Sequence, residues 1–225
     1  MMSRFKAIAF DLDGTLVDSV PDIHAGVNDM LLELQQPIVS QELMRSWVGN
    51  GVQKLVERAL INTNGTQPTV EELSSTHERF MHHYGLHLNK HSDLYEHVKS
   101  TLASMKKQGY RLAIVTNKPY RFVPDMLEAY GIDVYFELVL GGDSLEKCKP
   151  DPLPLNHIIS EWNLEKTQLL MVGDSKNDIF AAKSAGVASI GLTYGYNYGE
   201  DIGLCGPDAV FDQFRDILTW VNAQS

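Results

Sequence analysis

The chain has 225 residues, a hydrophobic content of 44% and a formal net charge of -10 at pH 7. This length exceeds that of most single domains, so we expect one large domain or a core with a smaller inserted domain. The negative charge argues against nucleic acid and anionic membranes as partners.

The sequence indicates neither a signal peptide nor a membrane span. The first apolar run is short and ends at Asp11, and no stretch approaches the roughly 18 apolar residues of a transmembrane helix. Cys148 and Cys205 lack metal-ligand spacing and are too few for a disulfide framework. We expect a soluble, cytoplasmic protein. The expected assembly is a monomer or a homodimer.

Short apolar runs recur along the chain, as is typical of buried parallel strands. They comprise residues 7–10, 111–116, 136–140, 169–173 and 188–192, with a weaker run at 208–211. Helical patterns lie between the later runs, at residues 120–130, 152–162 and 177–185. This alternation predicts an α/β fold, a Rossmann-like core with a mostly parallel sheet.

The long interval between residues 10 and 111 breaks this rhythm, because most of it has a helical pattern. Capping signals mark candidate helix starts at Ser19 with Pro21, at Ser40, and at Thr69 with Glu72. A further helix is predicted at residues 94–107, closed by Gly109. We expect residues 17–88 to form a helical cap inserted after the first strand, and residues 1–16 and 89–225 to form the core.

Polar side chains follow three of the predicted strands at the point where each strand ends. They are Asp11, Asp13 and Thr15 after the first strand, Thr116, Asn117 and Lys118 after the second, and Asp174 and Asp178 after the fourth. The carboxyl ends of parallel strands line a common crevice, so these groups should form one site.

Carboxylates gathered in such a crevice need a positive charge, because without one they would repel each other strongly. Asp11, Asp13 and Asp174 form the oxygen-rich pocket that Mg²⁺ prefers. Asp178 either binds the metal or its waters, or stabilises the start of a helix.

Donors and cations complete the predicted site. Lys149, followed by Pro150, lies in a non-helical turn, where its charge could offset a nucleophilic carboxylate and a phosphoryl oxygen. The Thr116 hydroxyl and the backbone N–H groups near Asp13 and Gly14 can donate to phosphoryl oxygens. A small anionic phosphate ester is therefore the expected substrate.

Four segments, D-L-D-G-T (11–15), V-T-N (115–117), K-P (149–150) and G-D-S-K-N-D (173–178), resemble the motif set of the haloacid dehalogenase (HAD) superfamily of phosphatases. The resemblance implies a HAD-like fold with a cap of the C1 type. It also implies that Asp11 is the nucleophile and forms an aspartyl-phosphate. Asp13 would be the general acid that protonates the leaving oxygen, and then the base that activates water.

The same resemblance assigns the remaining motif residues. Thr116 and Lys149 would hold the transferring group, while Asp11, Asp174 and the Asp13 carbonyl would bind Mg²⁺. Gly14, Thr15 and Asn117 are the expected substrate-binding residues of the core. The presence of Asp13 argues against carbon–halogen and carbon–phosphorus cleavage, which relatives without this acid perform.

Residues 44–60, M-R-S-W-V-G-N-G-V-Q-K-L-V-E-R-A-L, are a distinctive part of the predicted cap. The turn of Gly49, Asn50 and Gly51 could offer N–H groups and the Asn50 amide to a carboxylate, with Arg45 as a nearby cation. Lys54 and Arg58 are further cations. Together with residues 11–23, D-L-D-G-T-L-V-D-S-V-P-D-I, the stretch resembles bacterial phosphoglycolate phosphatases, which implies 2-phosphoglycolate as substrate. Sugar-phosphate phosphatases and hexose-phosphate mutases share every core motif and stay open as alternatives.

Two interpretations of another class also stay open. The segment D-L-D-G-T begins like a calcium-binding EF-hand loop, although Leu16 stands where that loop needs glycine. A phospho-acceptor signalling domain would use a similar acidic pocket, but it is shorter and has no cap. The aromatic segment Y-G-Y-N-Y-G at residues 194–199 is predicted to be a surface loop without a binding role.

Overall fold

A six-stranded sheet forms the centre of the protein, for which a computed structural model describes residues 3–224. The strands along the chain are β1 (Ala7–Phe10), β2 (Val17–Asp18), β3 (Asp93–Leu94), β4 (Arg111–Val115), β5 (Leu138–Leu140), β6 (Leu169–Gly173), β7 (Ala188–Leu192) and β8 (Ala209–Phe211). The sheet has the order β5-β4-β1-β6-β7-β8, and all its pairings are parallel. The predicted α/β fold with a mostly parallel sheet is confirmed.

The strand order reverses at β1. The chain returns from the cap to β4 on one side of β1 and later places β6 on the other side. Such a reversal opens a crevice at the carboxyl ends of the strands. The residues that follow β1, β4 and β6 therefore border the same crevice.

Helices cover both faces of the sheet. The α-helices of the described residues are α1 (Val20–Glu33), α2 (Gln41–Arg45), α3 (Val52–Asn64), α4 (Val70–His87), α5 (Val98–Lys107), α6 (Val123–Ala129), α7 (Leu153–Glu161), α8 (Lys176–Ala185) and α9 (Asp216–Ala223). Ile8 and Phe10 of β1 belong to one buried cluster with α5, α6 and α9. Ala7 and Ala9 belong to another with α7 and α8. This alternation is that of a strand buried on both faces.

Helices α1 to α4 build a separate hydrophobic cluster, which also includes Phe122 and Tyr196 of the core. Thr69 and Glu72 form the predicted capping box at the start of α4, and the Ser40 hydroxyl accepts a hydrogen bond from the Leu43 N–H at the start of α2. Ser19 precedes α1, but its side chain makes no capping hydrogen bond. The exact boundaries of the cap, at residues 17 and 88, stay a prediction.

The helix predicted from Leu94 begins instead at Val98. Asp93–Leu94 pair with Val17–Asp18 as an antiparallel ribbon. His97 then has a φ of 67°, a left-handed conformation that a right-handed helix cannot contain. Pairing between two segments distant in sequence has overridden a local helical pattern. No helix within residues 3–224 has the length and apolar composition needed to cross a lipid bilayer.

Candidate active site

Three buried carboxylates meet in the crevice at the strand ends. Asp11 follows β1, Asp174 follows β6, and Asp178 lies in the first turn of α8. One oxygen atom of each lies within 4.8 Å of the others. Residues separated by more than half of the chain come together because β1 and β6 are neighbours in register.

Asp174 is held by two further segments. The Thr15 hydroxyl donates to Oδ1 at 2.7 Å, and the Tyr196 N–H donates to Oδ2 at 2.7 Å. Gly14 has a φ of +87°, and a Cβ atom there would lie 2.3 Å from Asp174 Oδ2. Glycine is therefore required at this turn both for its conformation and for the close approach of the carboxylate.

Lys149 lies between two of the carboxylates. Its Nζ is 2.9 Å from Asp11 Oδ1 and 2.6 Å from Asp178 Oδ1. The other oxygen of Asp178 accepts hydrogen bonds from the N–H and the hydroxyl of Ser175. Burial opposes the charge on Lys149, but Asp11 and Asp178 outweigh it and raise the pKa of Lys149 above its usual range. The ammonium is therefore a permanent charge beside Asp11.

One ammonium does not neutralise three carboxylates. Burial raises the pKa of Asp11 from 3.8 to about 7, although Lys149 opposes this change. Burial and the charges of Asp11 and Asp178 raise the pKa of Asp174 well above 3.8. Oxygen donors with an excess of negative charge are what a hard divalent cation requires, so these residues fit a metal ion.

Asp13 faces a different cation. Its Oδ1 accepts a hydrogen bond from Lys118 Nζ at 2.9 Å, and the two side chains are 12% and 3% exposed. The carboxylate of Asp13, which was predicted among the metal ligands, is not part of the cluster around Asp174. The sequence predicted that Lys118 belongs to this site, because it follows β4 directly, but assigned it no role.

Thr116 and Asn117 follow β4 in the same crevice. The buried Thr116 hydroxyl accepts a hydrogen bond from the Lys118 N–H at 3.1 Å. The Asn117 amide donates to the carbonyls of Gly49, at 3.0 Å, and Lys149, at 2.9 Å. Asn117 thus ties the end of β4 to the cap, and its buried Oδ1 has no hydrogen-bond partner among the described residues.

The polar cap residues that were predicted to bind substrate are engaged elsewhere. Asn50 Oδ1 accepts a hydrogen bond from Arg58 at 2.7 Å. Arg45 donates to Asp18 at 2.8 Å and lies over the Tyr196 ring. Of the three predicted cap positions Arg45, Asn50 and Gly51, only Gly51 lines the cavity described next.

A cavity lies between the cap and the ends of the strands. The core contributes Asp11, Asp13, Thr116, Asn117, Lys118 and Pro119, and the cap contributes Ile23, Val48, Gly49, Gly51, Val52, Leu55, Phe80 and Tyr84. One wall therefore carries the charged groups and the other is almost entirely apolar. A small polar molecule bound here would contact the charged groups of the core, while the apolar side chains of the cap exclude water.

The segment 194–199 is a loop, as predicted, but its middle packs onto Asp174 and is buried instead of lying at the surface. Tyr196 is 4% exposed and Asn197 is 7% exposed. The Tyr194 hydroxyl donates to the Thr15 carbonyl, and Asn197 accepts a hydrogen bond from the Lys176 N–H. The glycine and tyrosine residues of this segment predicted a loop. Its burial depends on contacts with Thr15 and Asp174, which are distant in the sequence.

The calcium-loop interpretation of residues 11–22 was also wrong. A strand, not a helix, precedes Asp11, so this segment is not part of a helix–loop–helix. The phospho-acceptor interpretation does not account for the long helical interval. In the structure, these helices form a cap that lines the cavity beside the acidic cluster.

Comparison with known proteins gives a consistent result over the whole chain. A family model described as haloacid dehalogenase-like hydrolase matches residues 8–192. The phosphoglycolate phosphatase of Haemophilus influenzae (strain 86-028NP) is 48% identical over 222 residues, which cover 97% of this chain and 99% of the relative. That of Pasteurella multocida (strain Pm70) is 47% identical over 221 residues, again 97% and 99%.

A solved structure is similar to the same extent. The crystal structure of a predicted phosphoglycolate phosphatase from Haemophilus somnus 129PT superposes with a TM-score of 0.91 at 45% sequence identity. The match covers 98% of this chain and 99% of that protein. The cap and the sheet are thus shared as one architecture.

Proposed function

The chain belongs to the haloacid dehalogenase-like hydrolases and is a phosphatase, and we propose that it hydrolyses 2-phosphoglycolate to glycolate and phosphate with Mg²⁺ as cofactor. The observation that carries the proposal is the position of Asp11. Its carboxylate lies beside Lys149 and at the floor of the cavity that also contains Asp13. The proposed nucleophile and the proposed general acid therefore line the same cavity.

Asp11 is the proposed nucleophile. Its carboxylate oxygen forms a bond to phosphorus while the bond from phosphorus to the ester oxygen breaks. Asp13 gives a proton to the departing oxygen, so that glycolate leaves as an alcohol. Lys149 lowers the repulsion between the Asp11 carboxylate and the phosphate dianion, and the Thr116 hydroxyl donates to a phosphoryl oxygen.

The second half of the reaction regenerates Asp11. Asp13, now deprotonated, accepts a proton from a water molecule, which attacks the phosphorus of the aspartyl-phosphate. The acyl–phosphate bond breaks, and phosphate leaves with the free Asp11 carboxylate restored. The contact between Lys118 and Asp13 keeps the carboxyl in one orientation through both steps.

Asp11, Asp174 and the Asp13 carbonyl are the groups proposed to hold Mg²⁺, with Asp178 beside them. When bound, Mg²⁺ supplies positive charge that neutralises the phosphoryl oxygens and the carboxylates together. The excess of buried negative charge in this cluster supports that assignment.

The substrate proposal rests on the relatives named phosphoglycolate phosphatase and on the enclosed cavity. The test is a panel of phosphate monoesters, containing 2-phosphoglycolate, ethyl phosphate and hexose phosphates, assayed for phosphate release with Mg²⁺ and with EDTA. We expect the highest kcat/KM for 2-phosphoglycolate and no turnover in EDTA. A hexose phosphate at the top of the panel, or conversion of one hexose phosphate into an isomer, would overturn the substrate assignment.

A further inference from the structure

We propose that Lys118 of the core, together with the hydroxyl of Tyr84 from the cap, binds the carboxylate of the substrate, in place of the predicted cap residues Arg45 and Asn50. The inference rests on the proposed function, since it concerns the leaving group of 2-phosphoglycolate. It assigns a specificity role to a lysine that the motif pattern left without one.

The position of Asp13 predicts where the carboxylate of the substrate lies, and Lys118 is close to that place. To protonate the leaving oxygen, Asp13 must come within hydrogen-bond distance of it, about 2.6–3.2 Å. In phosphoglycolate a single methylene separates this oxygen from the carboxylate carbon. The carboxylate must therefore lie close to Asp13, and the Lys118 Nζ is 2.9 Å from Asp13 Oδ1.

The cations of the cap are committed to other partners. Arg45 pairs with Asp18, and Arg58 donates to the Trp47 carbonyl and to Asn50. Lys54 pairs with Glu57 on an exposed face of α3. Among the described residues that line the cavity, Lys118 is the cationic side chain, while the cap wall is apolar apart from the Tyr84 hydroxyl.

Lys118 has bonding capacity to spare. An ammonium has three donors, and the structure uses one of them for Asp13, while the Nζ lies 4.6 Å from the centre of the Tyr84 ring. The ion pair with Asp13 favours the charged form of Lys118. The lysine is therefore charged and can donate a hydrogen bond to a second carboxylate.

Tyr84 supplies an independent sign of a missing ligand. The residue is 2% exposed and lines the cavity. Its hydroxyl lies beside the Lys118 ammonium but makes no hydrogen bond of acceptable geometry with a described group. A buried hydroxyl without a partner is costly, and a substrate carboxylate next to Lys118 would satisfy it.

The experiment compares two substrates of similar size, 2-phosphoglycolate and ethyl phosphate, which lacks the carboxylate. Lys118→Met removes the ammonium, and Lys54→Met is the matched control on the cap surface. Loss of the contact with Asp13 should slow both substrates, whereas loss of carboxylate binding slows only one. The measured quantity is therefore the ratio of kcat/KM for 2-phosphoglycolate to kcat/KM for ethyl phosphate.

We expect Lys118→Met to lower this ratio by at least about 30-fold, the effect of removing one partner of a buried charge pair. Lys54→Met should keep the wild-type ratio. Tyr84→Phe retains the ring and should lower the ratio about three- to tenfold, the effect of one hydrogen bond. If Lys118→Met does not fold, the ratio for Tyr84→Phe tests the inference. A high wild-type ratio that both variants retain would overturn this inference alone. A wild-type ratio near one would overturn the proposed substrate and the inference with it.

Discussion

Lys149 donates a hydrogen bond to Asp178 at 2.6 Å, which joins the turn before α7 to the first turn of α8. The same ammonium lies 2.9 Å from Asp11. Asp178 in turn is fixed by the N–H and the hydroxyl of Ser175. The Lys149 ammonium beside the proposed nucleophile Asp11 is thus held in place by Asp178 of α8, which is far from Asp11 in the sequence.

Replacement of Lys149 by methionine should lower kcat for 2-phosphoglycolate by at least about 100-fold, because the charge that stabilises the reacting phosphoryl group is lost. Steady-state phosphate release with saturating Mg²⁺ measures this. Lys147→Met is the matched control, since Lys147 is two-thirds exposed and pairs with Asp151. Activity of Lys149→Met within a few-fold of the control would contradict the role given to this lysine.

Asp11→Asn should abolish turnover and leave the fold intact, because the amide is a poor nucleophile at phosphorus. The wild-type enzyme, quenched in acid during turnover, should carry a phosphoryl group on Asp11 that mass spectrometry can locate. The variant should carry none. Its circular dichroism spectrum and melting temperature show whether the loss is chemical or structural, and turnover at the wild-type rate would remove the nucleophile assignment.

Without metal, the stability of the protein should fall as the pH rises. The pKa of Asp11 is 3.8 in the unfolded reference and about 7 in the folded protein, so the folded state binds more protons between these values. Unfolding therefore becomes easier as the pH increases through that window. In EDTA, the melting temperature should be higher at about pH 5 than at about pH 8. The increase in melting temperature on addition of Mg²⁺ should be larger at about pH 8 than at about pH 5.

Asp174→Asn tests the origin of this effect. Removal of one buried carboxylate should stabilise the metal-free protein by about 1–2 kcal/mol near neutral pH and weaken the stabilisation by Mg²⁺. Asp212→Asn, at an exposed position, is the control for a change of one charge. If Asp174→Asn and Asp212→Asn show the same pH and Mg²⁺ dependence, the acidic cluster is not the source.

One carbonyl of the cap, that of Gly49, accepts two hydrogen bonds from the core. Gly49 O accepts hydrogen bonds from the side-chain amides of Asn117 and Asn177, each at 3.0 Å, and Asn177 also donates to the Tyr198 hydroxyl. Gly49 has a φ of +115°, and a Cβ atom there would lie 2.7 Å from that hydroxyl. This contact therefore contributes to holding the cap against the core.

Asn177→Ala should lower kcat/KM by about tenfold, because the loss of two hydrogen bonds makes the closed cap less populated. Asn62→Ala, at an exposed position of α3, should have no effect. Faster cleavage of the variant by a protease in the absence of substrate would show the opening directly. Equal kinetics and equal cleavage rates for both variants would contradict the importance of this contact.

The sequence by itself determined the strands of the central sheet and the edge at which the site forms. Each apolar run became a strand, and Asp11, Thr116 and Asp174 met because the ends of parallel strands in register must lie side by side. Local signals were also sufficient for the capping box at Thr69 and Glu72. These features depend on periodicity and on contacts within a few residues, which a single sequence records.

Only the tertiary structure decided which charge faces which. Lys118 pairs with Asp13, and Arg45 pairs with Asp18 and not with the cavity. The segment around Tyr196 packs onto Asp174 and does not extend into solvent. Such pairings join residues distant along the chain and depend on packing geometry and desolvation, which residue type and spacing do not encode.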